Sequence, residues 1–466
     1  MKQAKILVDL GYGDSGKGAL VDYLVSRRGF TLVVRHNGGP NAAHNVVRPD
    51  GKHFGFCQIG SGMFHSEAST LIGRQFCFNP IAADKEAAEF EERFKKPVHY
   101  RIFVDRYALI TTPVHRNVNH IRECLRGSAR HGSVGVGLGE TRLFSSLFSS
   151  VALRVRDFCE DSQVSETQAK MSWMVHYYID EMRKLIESWQ EKEGREVEES
   201  VNRAFVEIRD GWENFFQQLY ASMSKFKTLH TFEVNRLLAQ HDNVVFEPGQ
   251  GVLLDENVGF HPYTTWSRTT PDNAHEIIKN YQDSISGSAK VNVEVIGLAR
   301  AFTTRHGAGP LVTEDPTMLN HLVRNESHNG NHPYQGMFRI GHFDSVALRY
   351  AIACSRKVDA LAISHIDWLV NHREAGNPYY ACTEYHGPAN VRKILSEGVP
   401  SDVTDLDRQE CLMKSLRDEM TPHYTILPFR SIKSLSGDYG LFFSKLLGVP
   451  VRWLSCGPTE NDRIEL

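Results

Sequence analysis

Residues 5–18 read KILVDLGYGDSGKG, and this run decides the fold. An apolar strand, KILVDL (5–10), breaks into the glycine-rich turn Gly11-Tyr12-Gly13-Asp14-Ser15-Gly16-Lys17-Gly18. The helix-like segment ALVDYLVSRR (19–28) follows, and TLVVR (31–35) is a second apolar strand. Strand, glycine turn, helix and strand together open a parallel βαβ unit. Further β-branched runs at 243–246, 291–298, 358–363 and 450–454 are spread over the whole length. They predict an α/β fold over residues 1–466: one large domain whose mostly parallel central sheet, flanked by helices, is built from both ends of the chain.

The turn satisfies both the dinucleotide fingerprint G-x-G-x-x-G and the first part of the phosphate loop G-x-x-x-x-G-K-[ST]. A dinucleotide site wants an acidic residue about twenty positions on, and this chain has Arg35 and His36 there, which suit only a 2′-phosphate. An NADP-dependent oxidoreductase rests on that alone. A phosphate loop wants Ser or Thr after the lysine as a magnesium ligand, and Gly18 has no side chain to offer. Asp14 inside the loop would repel a pyrophosphate unless a magnesium ion, or a proton to abstract, lies beside it. The loop is therefore predicted to be catalytic as well as cradling. A second loop, Gly38-Gly39-Pro40-Asn41-Ala42-Ala43-His44-Asn45, follows the second strand and opens on the same carboxyl edge of the sheet. Asp14 and His44 are thereby expected to face one another across a bound group, one carboxylate and one imidazole for base and acid work.

Composition narrows the class. With 53 Lys+Arg against 56 Asp+Glu, a net charge of −3, 41% hydrophobic and 23% charged residues, the chain sits in the ordinary globular range. This argues against a disordered chain and against a nucleic-acid binder working by bulk positive charge. The eight cysteines form no C-x-x-C pair, so neither a zinc ribbon nor a disulfide scaffold is indicated. No stretch reaches the ~20 apolar residues of a membrane span, and the first residues lack the apolar core of a signal peptide. A cytoplasmic protein with no membrane partner is the expectation. Between about 161 and 225 a helical hairpin is predicted: Met171, Met174, Tyr178, Met182, Leu185 and Trp189 step by three and four, with Ser165 and Gln168 as a capping box. After EKEGREVEE, the series Val197, Val201, Phe205, Ile208, Trp212, Phe215 and Leu219 steps the same way.

Read together, these motifs resemble the adenylosuccinate synthetase family, which joins aspartate to a purine nucleotide at the expense of GTP. The resemblance runs with gaps along the chain, through Val34-Arg35-x-x-Gly38-Gly39-x-Asn41-Ala42-x-His44, Phe246-Glu247-x-x-Gln250-Gly251, Tyr263-x-Thr265, Thr304-Arg305-x-Gly307-Ala308-Gly309-Pro310, Arg339-x-Gly341-x-x-Asp344 and Gly457-Pro458. It implies that Asp14 removes the N1 proton of a 6-oxopurine, IMP-like or GMP/dGMP-like. His44 then supports charge on the oxygen that attacks the γ-phosphate of GTP, and Gln250 stands near that oxygen. Gly13, Gly16, Lys17, Gly18, Asn41 and Arg339 fall to the GTP side, and Mg²⁺ to Asp14 with the backbone carbonyl of Ala43. Guanine recognition falls on Asp367 in Ser364-His365-Ile366-Asp367, and on Gly457-Pro458; a purely structural Asp367, capping the turn that follows it, is the competing reading. Ser133, Val134, Thr265 and Arg305 fall to the acceptor, and a homodimer is implied.

Departures gather at the acceptor substrates. The threonine pair whose second member touches the nucleotide 5′-phosphate in the family is replaced by Ser133-Val134, and valine cannot hydrogen-bond a phosphate. The arginine-rich loop that grips the aspartate carboxylates is replaced by residues 329–339, in which only Arg339 is cationic at neutral pH. A dicarboxylate needs paired guanidiniums or comparable donors, so the amine is left open. The expectation is a GTP-dependent carbon–nitrogen ligase with changed acceptors; the alternative is a guanine-nucleotide-binding protein of the same fold that has lost the synthesis.

Overall fold

The computed structural model describes residues 1–160, 163–284, 290–318, 335–374, 376–426 and 435–466. Ten strands form the central sheet: β1 (Gln3–Asp9), β2 (Leu32–Arg35), β3 (Ser69–Ile72), β4 (Ile102–Asp105), β5 (Lys227–Leu229), β6 (Asn243–Glu247), β7 (Asn292–Arg300), β8 (Ala360–Ser364), β9 (Val451–Ser455) and β10 (Arg463–Glu465). Their spatial order is β10-β9-β8-β7-β1-β6-β2-β3-β4-β5. Every neighbouring pair runs parallel except β9 with β10. Each apolar run picked out in the sequence is one of these strands. Ala4, Ile6, Leu7 and Val8 of β1 are fully buried, as a central parallel strand covered on both faces requires.

The order places β1 between β7 and β6, two strands that come from the middle of the chain. The loops after β1, β6, β7 and β8 therefore open side by side at the carboxyl edge, the position at which open α/β sheets bind ligands. Helix α1 (Lys17–Arg28) starts directly out of the glycine turn and ends on Gly29, a left-handed cap at φ 67°.

The expected hairpin is present as helices Val164–Glu193 and Glu199–Met223. It packs on the helices Pro80–Phe94 and Pro113–Arg126, with Met171, Met174, Tyr178, Met182, Val201 and Ile208 in a shared apolar core. Three details depart from the sequence reading. Gln163 precedes the first helix with no side-chain cap, so Ser165 lies inside the first turn and the capping box is absent. Ile186 takes the buried place expected of Leu185, and Phe216 that of Phe215: the apolar stripe is wider than a single row, and the neighbouring helices decide which of two adjacent residues they cover. Among the described residues no helix is long and apolar enough to cross a membrane.

Candidate active site

Asp9 ends β1 and organises the turn that follows. Its carboxylate accepts the N–H of Gly11 (3.0 Å), the hydroxyl of Ser15 (2.8 Å) and the ammonium of Lys17 (2.6 Å). Gly13, Asp14 and Gly16 all take positive φ, at 109°, 61° and 80°. Asp14 is one of the few L-residues that tolerate this region, and the turn uses it to present its carboxylate. Gly18 is explained by packing: a Cβ there would lie 2.8 Å from the carbonyl oxygen of Asn45, so its absence lets α1 rest against the strand His44–Val47.

Gly251, in the loop after β6, has the same logic at closer range. A Cβ would stand 2.1 Å from the Gly11 carbonyl oxygen and 2.7 Å from the Gly13 nitrogen, both backbone atoms. Gly251→Ala is expected to cost about 1–3 kcal/mol in urea unfolding and to lower turnover with it, since the loop carrying Asp14 must yield. Unchanged stability would show that the two loops are not locked together.

The two loops and the segments 119–143 and 261–266 enclose a cavity of about 800 Å³. Gly13, Asp14, Lys17, Asn41, Ala43 and His44 line it. So do Ser133, Val134, Gln250, Thr265 and Arg305. Both amide atoms of Gln250, Oγ1 of Thr265 and Oδ1 of Asn41 are buried with no hydrogen-bond partner among the described residues. A buried polar atom left alone costs about 1–3 kcal/mol, so four on one cavity wall mark a place where a polar ligand completes the structure.

Asp14 is 40% exposed and accepts from His306 Nε2 at 3.0 Å. Desolvation in the cavity works against its charge, but His306, with Arg300 and Lys17 behind it, holds the carboxyl well below the usual carboxylate range. His44 is buried, with Nδ1 2.6 Å from Glu247 Oε1 and Nε2 3.2 Å from the Gly249 carbonyl oxygen. Both nitrogens thus face acceptors, a geometry that suits a ring carrying two N–H groups. Burial sets the net direction of its pKa, downward, and Glu247 opposes it. Glu247 is in turn fixed by the N–H of Ser61 (3.1 Å) and the Ser61 hydroxyl.

Other expected site residues are placed differently. Lys17 reaches the cavity wall, but its ammonium is tied back to Asp9. Arg339 is paired with Glu314 and donates to the carbonyls of Gly307 (3.0 Å) and Gly309 (2.8 Å), so its donors hold a loop and it does not line the cavity. Arg305 lines it but gives its hydrogen bonds to the carbonyls of Ala308, Pro310 and Tyr263, with its guanidinium 4.2 Å over the Tyr12 ring. Gly16, Gly18, Asp367, Gly457 and Pro458 lie outside the cavity wall. Gly16 nevertheless abuts Ser364 at the end of β8, and Asp367 begins the helix Ile366–Glu374 just beyond it. There it is the acid of the helix's first turn, where burial raises its pKa and the neighbouring backbone N–H groups oppose this. The charge of Asp367 also acts on Cys456, which puts Gly457-Pro458 in the same neighbourhood. Residues 329–334 of the altered amine loop lie outside the described residues.

Arg35 overturns the NADP reading. It is fully buried, stacks 5.5 Å over the Phe76 ring and donates to the Ile59 carbonyl, so it cannot meet a 2′-phosphate. Sequence reasoning gave no role to Asp9, Glu247, Arg300 or His306. The first two are acids closing otherwise apolar strands, and that pattern was available as a signal.

The sequence profile of the family described as adenylosuccinate synthetase matches residues 6–464. Similar curated proteins carrying that name include those of Chlorobium luteolum, 27% identical over 99% of this chain and 97% of that one, and Chlorobaculum parvum, 29% identical with the same coverage. Among solved structures, the fully ligated adenylosuccinate synthetase of Plasmodium falciparum superposes with a TM-score of 0.73 at 18% identity, covering 99% of each chain. The cyanophage S-2L succinoaminodeoxyadenylate synthetase bound to dGMP and dATP superposes with 0.58 at 14% identity, covering 100% of this chain and 95% of that one.

Proposed function

The chain belongs to the adenylosuccinate synthetase family, and from that membership we propose that it is a GTP-dependent ligase forming a carbon–nitrogen bond at C6 of a 6-oxopurine. The observation that carries this reading is the meeting of the Asp14 carboxylate, the His44 imidazole and the unpartnered Gln250 amide on one cavity. A lactam oxygen is a poor leaving group, and phosphorylation turns it into one that an amine can displace. Asp14 takes the N1 proton, and the electron pair released moves onto O6. O6 bonds the γ-phosphorus while the bond to the β-phosphate oxygen breaks and GDP leaves. His44, steadied at Nδ1 by Glu247, donates through Nε2 to the oxygen on which charge builds. Gln250 has both a donor and an acceptor to orient the same edge of the base. The amine nitrogen then bonds C6, the C6–O bond breaks, inorganic phosphate departs, and the surplus proton of the nitrogen leaves to the phosphate or to solvent.

Magnesium fits the donor set, because His306 takes only one oxygen of Asp14 and Ala43, whose carbonyl the resemblance assigns to the metal, lines the same cavity; when bound it would neutralise charge on the transferred phosphoryl group. GTP as donor rests on the Gly16–Ser364–Asp367 trail along the sheet edge, and a homodimer is part of the same proposal. Phosphate release requiring MgGTP, an oxopurine and an amine together tests the reaction. Oxygen-18 at C6 of the acceptor should appear in the released phosphate; label retained in the purine product would contradict it. Replacing GTP by ATP in the same assay should lower kcat/KM by about 10-fold or more if Asp367 turns toward the base, and equal use of both would remove the guanine assignment.

A further inference from the structure

His306 ends the strand Thr303–His306, which pairs antiparallel with Phe338–Gly341, and it stands opposite Phe338. Its side chain meets the purine half of the cavity: Nε2 lies 3.0 Å from Oδ2 of Asp14. The backbone just after it meets the end of the loop that the resemblance assigns to the amine. Gly307 donates its N–H to the Met337 carbonyl (2.9 Å), and Arg339 donates to the Gly307 carbonyl (3.0 Å). Gly307 sits at φ 70°, and a Cβ there would collide with the Gln335 carbonyl oxygen, so the two segments touch backbone to backbone. Gln335 and His306 both line the cavity. His306 therefore stands between the place of the purine and the place of the amine.

The two ring nitrogens of His306 are unequally served. A carboxylate only accepts, so Nε2 carries the hydrogen that Asp14 Oδ2 receives. Nδ1 is buried with no partner among the described residues. His44 faces acceptors at both nitrogens, but nothing at His306 Nδ1 would hold a second hydrogen, and that nitrogen is left with its lone pair. The ring is fixed on both sides: Asp14 holds one edge, and the Phe338 ring lies against it with centroids 4.9 Å apart. A buried acceptor without a donor is destabilising, so a ligand hydrogen that reaches Nδ1 completes the structure. Sugar hydroxyls of either nucleotide could supply one; the contact with segment 335–339 favours the amine.

We propose that His306 receives the incoming amine, its Nδ1 lone pair accepting an N–H of the nitrogen that attacks C6. This rests on the ligase reading and deepens it, by naming a residue for the substrate whose arginines are missing from residues 329–338. A hydrogen bond to Nδ1 places the amine nitrogen beside the carboxylate that meets N1, and C6 is bonded to N1. The other edge of the same ring keeps Asp14 Oδ2 occupied, which leaves the second oxygen for the purine. One imidazole thus orients both reactants.

Two variants separate the edges of the ring. A glutamine amide reaches about as far as Nε2, and an asparagine amide about as far as Nδ1. His306→Gln therefore keeps a donor for Asp14 and loses the acceptor, while His306→Asn keeps the acceptor and loses the donor. Phosphate release is followed with MgGTP, IMP or GMP, and L-aspartate, ammonium or hydroxylamine as the amine probe. His306→Gln should raise the KM of whichever probe the wild type uses about 10-fold or more, with the KM of the purine and of GTP within about 3-fold. His306→Asn should lower kcat instead, with the amine KM within about 3-fold of wild type. An unchanged amine KM in the glutamine protein, or an equal rise in the KM of the purine or GTP, would overturn the proposal and leave the ligase reading standing. If the glutamine protein does not fold, an amine KM raised about 10-fold in the asparagine protein would do the same. No phosphate release by the wild type with any of these probes would remove the ligase reading and this inference together.

Discussion

Asp14→Asn should lower phosphate release by at least about 10³-fold and leave the folded state intact. The expected loss is large because one carboxylate serves as base for N1 and as a cation ligand. The fold should survive because the side chain is 40% exposed and an asparagine still offers His306 an acceptor oxygen. Asparagine is the informative replacement: at φ 61° it is as comfortable as aspartate, whereas alanine adds about 1–2 kcal/mol of left-handed backbone strain. Comparing the two variants therefore separates loss of the carboxylate from distortion of the turn. If the asparagine protein keeps more than about a tenth of wild-type turnover with an unchanged melting temperature, Asp14 is not the base.

The sheet was legible because its strands are buried on both faces and so read as unbroken β-branched runs, from KILVDL to PVRWL. The hairpin was legible from its stepping, but not its caps, because the start of a helix depends on what precedes it in space as well as in sequence. The first and second loops were legible because glycine clusters mark backbone conformations that other residues avoid: Gly13 and Gly16 do sit at positive φ. Partnerships were not. Nothing local to Arg339 says that Glu314 will pair with it, and nothing local to Lys17 says that Asp9 will hold it. A motif records which residue type stands at a place, while the charge available to a ligand depends on which partner reaches it first. Glu140 shows the converse case: it passes in the sequence as an ordinary helix-starting acid, and only the fold shows that one of its oxygens is left without a donor.

Glu247→Gln should lower kcat by about 10²–10³-fold with little change in KM, since Glu247 acts on substrate only through His44. A glutamine keeps the length but offers Nδ1 either a neutral oxygen or an N–H, so the ring loses the partner that steadies a second proton. The same substitution has a stability signature with a defined pH window. Burial alone would raise the Glu247 pKa, but Arg35, His44 and Ser61 reverse this and hold it down at about 2, against an ordinary 4.5. A folded-state pKa below the unfolded one gives stability that is present above about pH 4.5 and lost as the pH falls toward 2, roughly 3 kcal/mol in all. The gap in unfolding free energy between wild type and variant should therefore be widest near neutrality and shrink through that acid window. A gap of constant size across it would mean that the carboxylate is not the charge that balances Arg35 and His44. A variant with wild-type kcat would mean that His44 needs no orientation at Nδ1, and the donor role assigned to its Nε2 would fall with it.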